Sequence, residues 1–173
     1  MKKQDILENQ VNIAYLAIGS NLGKKIRNIE ITKYELEKHK IKILKSSSYY
    51  RSDSWPDSSK PKFINIIIKI KTYFAPLELL KICNSIELKL GRIRSKKNAP
   101  RTCDIDIIDF ENMILEKNNN KLILPHPRMD KRNFVLLPLF EVNKSWKHPK
   151  TKTHLVDLIN SLPIEDLRSI NQI

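Results

Sequence analysis

Residues 12–18 are rich in apolar and β-favouring side chains and run into Gly19-Ser20-Asn21, the pattern of a strand that ends in a turn. Leu22, Ile26, Ile29 and Leu36 then recur at helical spacing with charges between them, which predicts an amphipathic helix to about Lys40. Residues 41–51 return to strand character. The polar stretch 52–61, with its Asp, Ser and Pro residues around Trp55, predicts a loop. Residues 63–72 hold Ile64, Ile66, Ile67, Ile68 and Ile70, a β-branched run suited to an interior strand. Pro76 fits a first helical turn, and Leu77, Leu80, Cys83, Ile86 and Leu90 mark the apolar stripe of a second helix that stops at Gly91. Residues 104–110 form a fourth strand.

The order βαββαβ predicts an α+β fold, a ferredoxin-like sandwich in which two helices pack on one face of an antiparallel sheet. Residues 114–123, around Asn118-Asn119-Asn120, add a hairpin, and residues 154–162 a terminal helix. With 173 residues, 40% of them hydrophobic, the chain is the size of one domain. Its expected bounds are 12–165, between an extension at 1–11 and a tail at 166–173. The sequence shows no repeat beyond the split βαβ symmetry and no dividing linker.

A net charge of +13 suits phosphate-bearing partners. Lys greatly outnumbers Arg, however, and Ile and Asn are also heavily used, the composition that drift toward AT-rich codons produces. Geometry therefore resides in the arginines, whose rigid fork binds phosphate directionally, and no specific nucleic acid is expected. Cys83 and Cys103 fit neither a disulfide framework nor a zinc site and read as buried thiols of a reducing compartment. Residues 1–10 lack the apolar run of a signal peptide and no segment approaches a membrane span, so a soluble, cytoplasmic protein is expected.

The densest chemistry lies at Ala99-Pro100-Arg101-Thr102-Cys103-Asp104-Ile105-Asp106-Ile107-Ile108. Strand alternation turns Asp104 and Asp106 to one face and Cys103, Ile105 and Ile107 to the core. Two neighbouring carboxylates repel unless a cation lies between them, and Mg²⁺ shared with a polyphosphate meets that need. A solvated edge strand could carry the same pair. The positive loop that precedes it, with Arg92 and Arg94 one residue apart, favours the metal reading, because such a loop can fold over a triphosphate. His126, Arg128 and Arg132 form a second cationic group. Asp130 beside them suits a helix N-cap, and Leu136, Leu137 and Leu139 suit the core.

Pro-Arg-Thr-x-Asp-x-Asp at 100–106, Pro-His-Pro-Arg-Met-x-x-Arg-x-Phe-Val-Leu-x-Pro-Leu at 125–139, and Ala17-Ile18-Gly19-Ser20-Asn21-Leu22 resemble the hydroxymethyldihydropterin pyrophosphokinases, in order, from about residue 14 to 162. The resemblance implies a monomeric enzyme of folate biosynthesis that binds ATP and 6-hydroxymethyl-7,8-dihydropterin. It implies two Mg²⁺ ions on Asp104 and Asp106, and Arg92 and Arg94 on a catalytic loop. Arg101 and Arg132 are implied phosphate contacts, with His126 positioning ATP and Glu87 on the adenosine side. For the pterin it implies Asn65 on the hydrogen-bonding edge, Phe63 and Phe134 on the two faces, and Ser52 as a further contact. Asn98 stands where some members carry an aromatic residue, and Asp53-Ser54-Trp55 replaces a more proline-rich loop.

The implied reaction is attack of the pterin hydroxymethyl oxygen on the β-phosphorus of ATP, in line with the departing AMP oxygen. A rival reading is an RNA-binding module, which shares the βαββαβ order. It requires paired aromatics on the central strands, but residues 62–68 lack that pattern and the first strand offers only Tyr15. A small regulatory ligand-binding domain would leave Asp104 and Asp106 beside so much Arg unexplained.

Overall fold

The computed structural model describes residues 10–54, 57–92, 99–116 and 122–173. Two expected strands fall where their patterns put them, as β4 (Phe63–Thr72) and β5 (Asp104–Phe110), and β1 (Asn12–Ser20) runs two residues further than expected. β4 lies inside the sheet, as its isoleucine run requires. It pairs antiparallel with β1 from Asn12↔Thr72 to Ser20↔Ile64, and β1 pairs in turn with β5. Its other edge is shared by two short strands, β2 (Lys42–Ser46) and β3 (Tyr50–Ser52), where one strand was expected. The break falls at Ser47, whose N–H donates to the Ile67 carbonyl at 2.9 Å while its Oγ accepts from the Ile67 N–H at 3.0 Å. The serine hydroxyl thus replaces a ladder partner as the chain kinks.

Strand alternation divides the side chains between two cores. Ile18, Ile66, Ile68, Ile70, Ile105 and Ile107 face α1 (Lys25–Lys38) and α2 (Pro76–Lys89), which pack over them with Ile29, Leu36, Leu79, Cys83 and Ile86. Each such isoleucine, fully buried, stabilises the fold by about 1.5–3 kcal/mol. The expected helical stripes are partly out of phase. Leu22, 46% exposed, lies before α1, which begins at Lys25; Ile26, in the first turn of α1, is 44% exposed; and Leu77 is exposed while Leu79 is buried. Tyr15, Ile67 and Ile108 face the opposite way, against α3 (Asn133–Val142) with Val135, Leu136 and Leu139. The fold therefore has a helix on each side of the sheet. Asp130 is no N-cap: it lies within a 3₁₀ turn (Met129–Lys131), and the residue before α3 is Arg132, which makes no side-chain cap.

The expected hairpin is reduced among the described residues to one bridge between Leu115 and Leu124, and its asparagine tip lies outside them. The terminal helix is α4 (Leu155–Asn160). Beyond it come α5 (Ile164–Arg168) and β6 (Asn171–Gln172), which pairs with β3, so the tail joins the sheet.

Candidate active site

Residues paired in register across a sheet share a face. One row reads Tyr50, Asn65, Gly19, Asp104, and the next Ile67, Ala17, Asp106. Ile67 belongs to the core under α3, so these rows lie on the α3 side of the sheet. The middle positions are the smallest side chains available. A Cβ on Gly19 would lie 2.8 Å from Asn65 Oδ1 and 3.4 Å from the Phe63 ring, so only glycine leaves those two groups their places. The outcome is a shallow polar surface beside α3 with Asn65 and Phe63 at one side and the two aspartates at the other.

Asp104 and Asp106 project from this face as expected, and each is held by guanidinium groups. Arg92 Nη1 lies 2.7 Å from Asp104 Oδ1 and Arg101 Nη2 lies 2.6 Å from Asp104 Oδ2. Arg132 Nη1 reaches Asp106 Oδ2 at 3.1 Å. Arg92 also pairs with Glu87 of α2, whose carboxylate accepts the Ile105 N–H at 2.8 Å. Glu87, expected on the adenosine side, is only 3% exposed, with its carboxylate turned inward to β5 and Arg92. Arg94 lies outside the described residues.

Asn21, in the turn after β1, was not singled out for a role by sequence, although it stands in the Gly-Ser-Asn motif. Its Oδ1 accepts the Arg101 N–H at 2.7 Å and its N–H donates to the Arg101 carbonyl at 3.1 Å. Its Nδ2 donates to Ser54 Oγ and to the Pro61 carbonyl. One buried amide thus ties three segments together around Arg101. Thr102 Oγ1 adds a bond to the Leu90 carbonyl at 2.7 Å, fixing the segment to the end of α2.

On the other side, Asn65 Nδ2 donates to Ser52 Oγ at 2.9 Å, which orients the amide and leaves its Oδ1 and second N–H for another partner. Phe63 and Phe134 are half-buried, and each has an arginine over its ring, Arg101 at 5.2 Å and Arg132 at 5.4 Å. The sequence-derived candidates Arg101, Asp104 and Phe63 are thereby linked, as are Asp106, Arg132 and Phe134. His126 Nε2 lies 3.7 Å from Asp106, whereas Arg128 is exposed. Burial, aided by Arg132 and Arg128 and opposed by Asp106, pulls the His126 pKa below 6.5, so the ring is neutral at pH 7. Its Nδ1 accepts the Arg128 N–H at 3.2 Å, so Nε2 carries the proton and is a donor directed toward Asp106.

These donors fit a hard cation that arrives with its other ligands. Two carboxylates on one face suit Mg²⁺, which keeps waters and phosphate oxygens as further ligands. Among the described residues no cluster of three or more His, Cys, Asp or Glu could cage a metal unaided. The Arg101 Nε is a buried donor without a partner, in keeping with a place for anionic oxygens.

The profile of the family "7,8-dihydro-6-hydroxymethylpterin-pyrophosphokinase (HPPK)" matches residues 15–144. A 2-amino-4-hydroxy-6-hydroxymethyldihydropteridine pyrophosphokinase of Bacillus subtilis is 40% identical over 132 residues, 76% of this chain and 78% of that protein. The folic acid synthesis protein fol1 of Schizosaccharomyces pombe is 35% identical over 157 residues, 90% of this chain, but the match spans only 21% of fol1. A solved HPPK-DHPS of Plasmodium falciparum with pterin and p-hydroxybenzoate superposes with a TM-score of 0.72 at 18% identity, covering 95% of this chain and 48% of that one, and so shares the fold. The chain belongs to the 7,8-dihydro-6-hydroxymethylpterin pyrophosphokinase family.

Proposed function

We propose that this protein transfers the terminal diphosphate of ATP to the hydroxymethyl oxygen of 6-hydroxymethyl-7,8-dihydropterin, releasing AMP, as a step of folate biosynthesis. The observation that carries the reading is the placement of Asp104 and Asp106 on one sheet face, ringed by Arg92, Arg101 and Arg132, across Gly19 from Asn65. An acid pair among arginines suits a metal–triphosphate, and the Asn65 amide beside the Phe63 ring suits a flat heterocycle.

Asn65 and Ser52 hold the pterin edge, and Phe63 and Phe134 take its faces. Asp104 and Asp106 are the residues that would hold two Mg²⁺ ions, which supply charge neutralisation to the phosphates when bound. Arg101 and Arg132 exchange carboxylate for phosphate oxygens, and the neutral His126 donates to the nucleotide from Nε2. Arg92, anchored on Glu87, and Arg94 neutralise charge as it builds on the transferred group. The alcohol oxygen forms a bond to the β-phosphorus while the α–β bridging oxygen leaves with AMP, and the alcohol proton is lost to solvent. No protein nucleophile is needed.

The protein works as a monomer in the cytosol in this reading. Among the described residues no helix is long and apolar enough to cross a membrane. An RNA-binding face would present stacking aromatics to a polyanion, whereas this face presents two aspartates. The test is incubation with ATP, Mg²⁺ and the reduced pterin alcohol. AMP and a pterin diphosphate are expected; ADP with a pterin monophosphate would overturn the reaction.

A further inference from the structure

β3 is only three residues long, and without a further partner it would be the sheet's edge beside β4. β6 supplies that partner, with Tyr50↔Gln172 and Arg51↔Asn171 in register. The Ile173 N–H donates to the Tyr49 carbonyl at 2.9 Å, and Gln172 Nε2 donates to Ser48 Oγ at 3.0 Å. A few residues upstream the same segment is fastened to α3. Asn133 Nδ2 donates to the Asp166 carbonyl at 2.6 Å and to Ser169 Oγ at 3.1 Å, while its Oδ1 accepts the Phe134 N–H at 2.6 Å. Only Ile170, itself 8% exposed, separates Ser169 from Asn171. Two residues of chain reach at most about 7 Å, so the link between the start of α3 and β3 has no slack.

We infer that Asn133, acting through the C-terminal segment, is a positioning residue that sets the spacing between Phe134 on α3 and Ser52 on β3. This rests on the reading that Phe134 and Ser52 border the pterin. One end of the Asn133 amide grips the tail and the other grips the backbone of the aromatic residue, while the tail grips the strand that presents Ser52 to Asn65. Slack in the tail lets the Phe134 wall drift from the Ser52–Asn65 edge. Asp104, Asp106, Arg92 and Arg101, on the aspartate side of the site, have no bond to the tail among the described residues, and Arg132, next to Asn133, is held by its own ion pair with Asp106.

The test measures the Kd of fluorescent 6-hydroxymethylpterin with Mg²⁺ and a non-hydrolysable ATP analogue, the Kd of the analogue alone, and the Tm. Asn133→Asp keeps the acceptor for the Phe134 N–H and removes the donor to the tail. Truncation after Ile170 removes β6, and insertion of two glycines between Ser169 and Ile170 keeps every bonding group but adds slack. Each is expected to weaken pterin binding about tenfold and leave nucleotide affinity within about twofold. Normal pterin affinity in all three, or equal loss of both ligands in step with Tm, overturns the inference. Phe134→Ala separates the two levels. If it too binds the pterin normally, the subsite reading falls and the positioning role with it; if it binds poorly while the three variants are normal, the positioning role alone falls.

Discussion

Gly19 and Asn65 face each other across the β1–β4 register so closely that a Cβ on Gly19 would lie 2.8 Å from the Asn65 Oδ1. Asn65 is 6% exposed and tied to Ser52, so it has little freedom to retreat. Gly19→Ala is expected to cost about 1–2 kcal/mol of stability, in the range of small-to-large strain. The same displacement turns the amide away from the pterin. The expected signature is a raised pterin KM with nucleotide affinity unchanged, read by urea unfolding and by substrate titration. An alanine variant with parental pterin KM would show that Asn65 is not a pterin contact.

Asp104→Asn and Asp106→Asn are each expected to remove most activity and leave the fold intact. Asn keeps the volume, but an amide is a poorer Mg²⁺ ligand than a carboxylate. A lost ionic contact in the transition state corresponds to about a hundredfold or more in rate. Single-turnover rates across a Mg²⁺ titration, set beside melting without Mg²⁺, separate the roles. Variants that melt far lower while their folded fraction turns over normally would make these aspartates struts of the sheet, since both are held by arginines.

What the sequence made legible follows the range of the forces involved. β4 and β5 could be read because a β-branched run and an Asp-x-Asp alternation are local signals. The second helix was located by Pro76 and Gly91, and Cys83 and Ile86 of its expected stripe are buried, but its first turn was misplaced, because Leu77 and Leu79 both fit a stripe and only packing against the sheet selects Leu79. The kink at Ser47 depends on Ile67, twenty residues away, and β6 is two residues long, too short to carry a period. In the site, the motifs that placed Asp104, Asp106 and Arg132 lie on short local stretches. The work of Asn21 and the inward turn of Glu87 depend on segments far apart in sequence.

Arg92 bridges Glu87 and Asp104, so its loss should act on chemistry more than on binding. Arg92→Ala is expected to slow the single-turnover step by about a hundredfold, about 2.7 kcal/mol, with nucleotide Kd changed only a few-fold. Glu87→Gln keeps an acceptor for the Ile105 N–H but no longer anchors the guanidinium by charge, and should reproduce part of the loss. Equal falls in ATP affinity with no fall in single-turnover rate would assign Arg92 to ground-state anchoring instead.

The pH dependence of stability should carry the mark of Asp109. A β-bulge opposite Tyr15 and Leu16 breaks the alternation of β5, so that Asp109, which would otherwise face α1 and α2, pairs with Tyr15 on the α3 side. There it is 1% exposed, and its Oδ2 accepts the Trp146 Nε1–H at 2.8 Å. Burial raises its pKa above 3.8, and the charge of Glu111 adds to the rise. Trp146 and the backbone N–H groups of Asn112 and Phe110 pull it down, without closing a hydrogen bond on Oδ1. The folded protein therefore binds this proton more tightly than the unfolded chain. Stability contributed by the neutral acid is lost as pH rises from about 3.8 through the raised value, and above it the cost of the buried charge is constant. Asp109→Asn keeps an acceptor for Trp146, puts an unpaired amide where an oxygen is already unpaired, and carries no charge. The variant should be more stable than the parent at pH 7, with the difference shrinking as the pH approaches 4. Urea unfolding of both proteins at pH 7, 5 and 4 measures this, and a variant no more stable than the parent at pH 7 would mean that the bulge accommodates the ionised carboxylate at no cost.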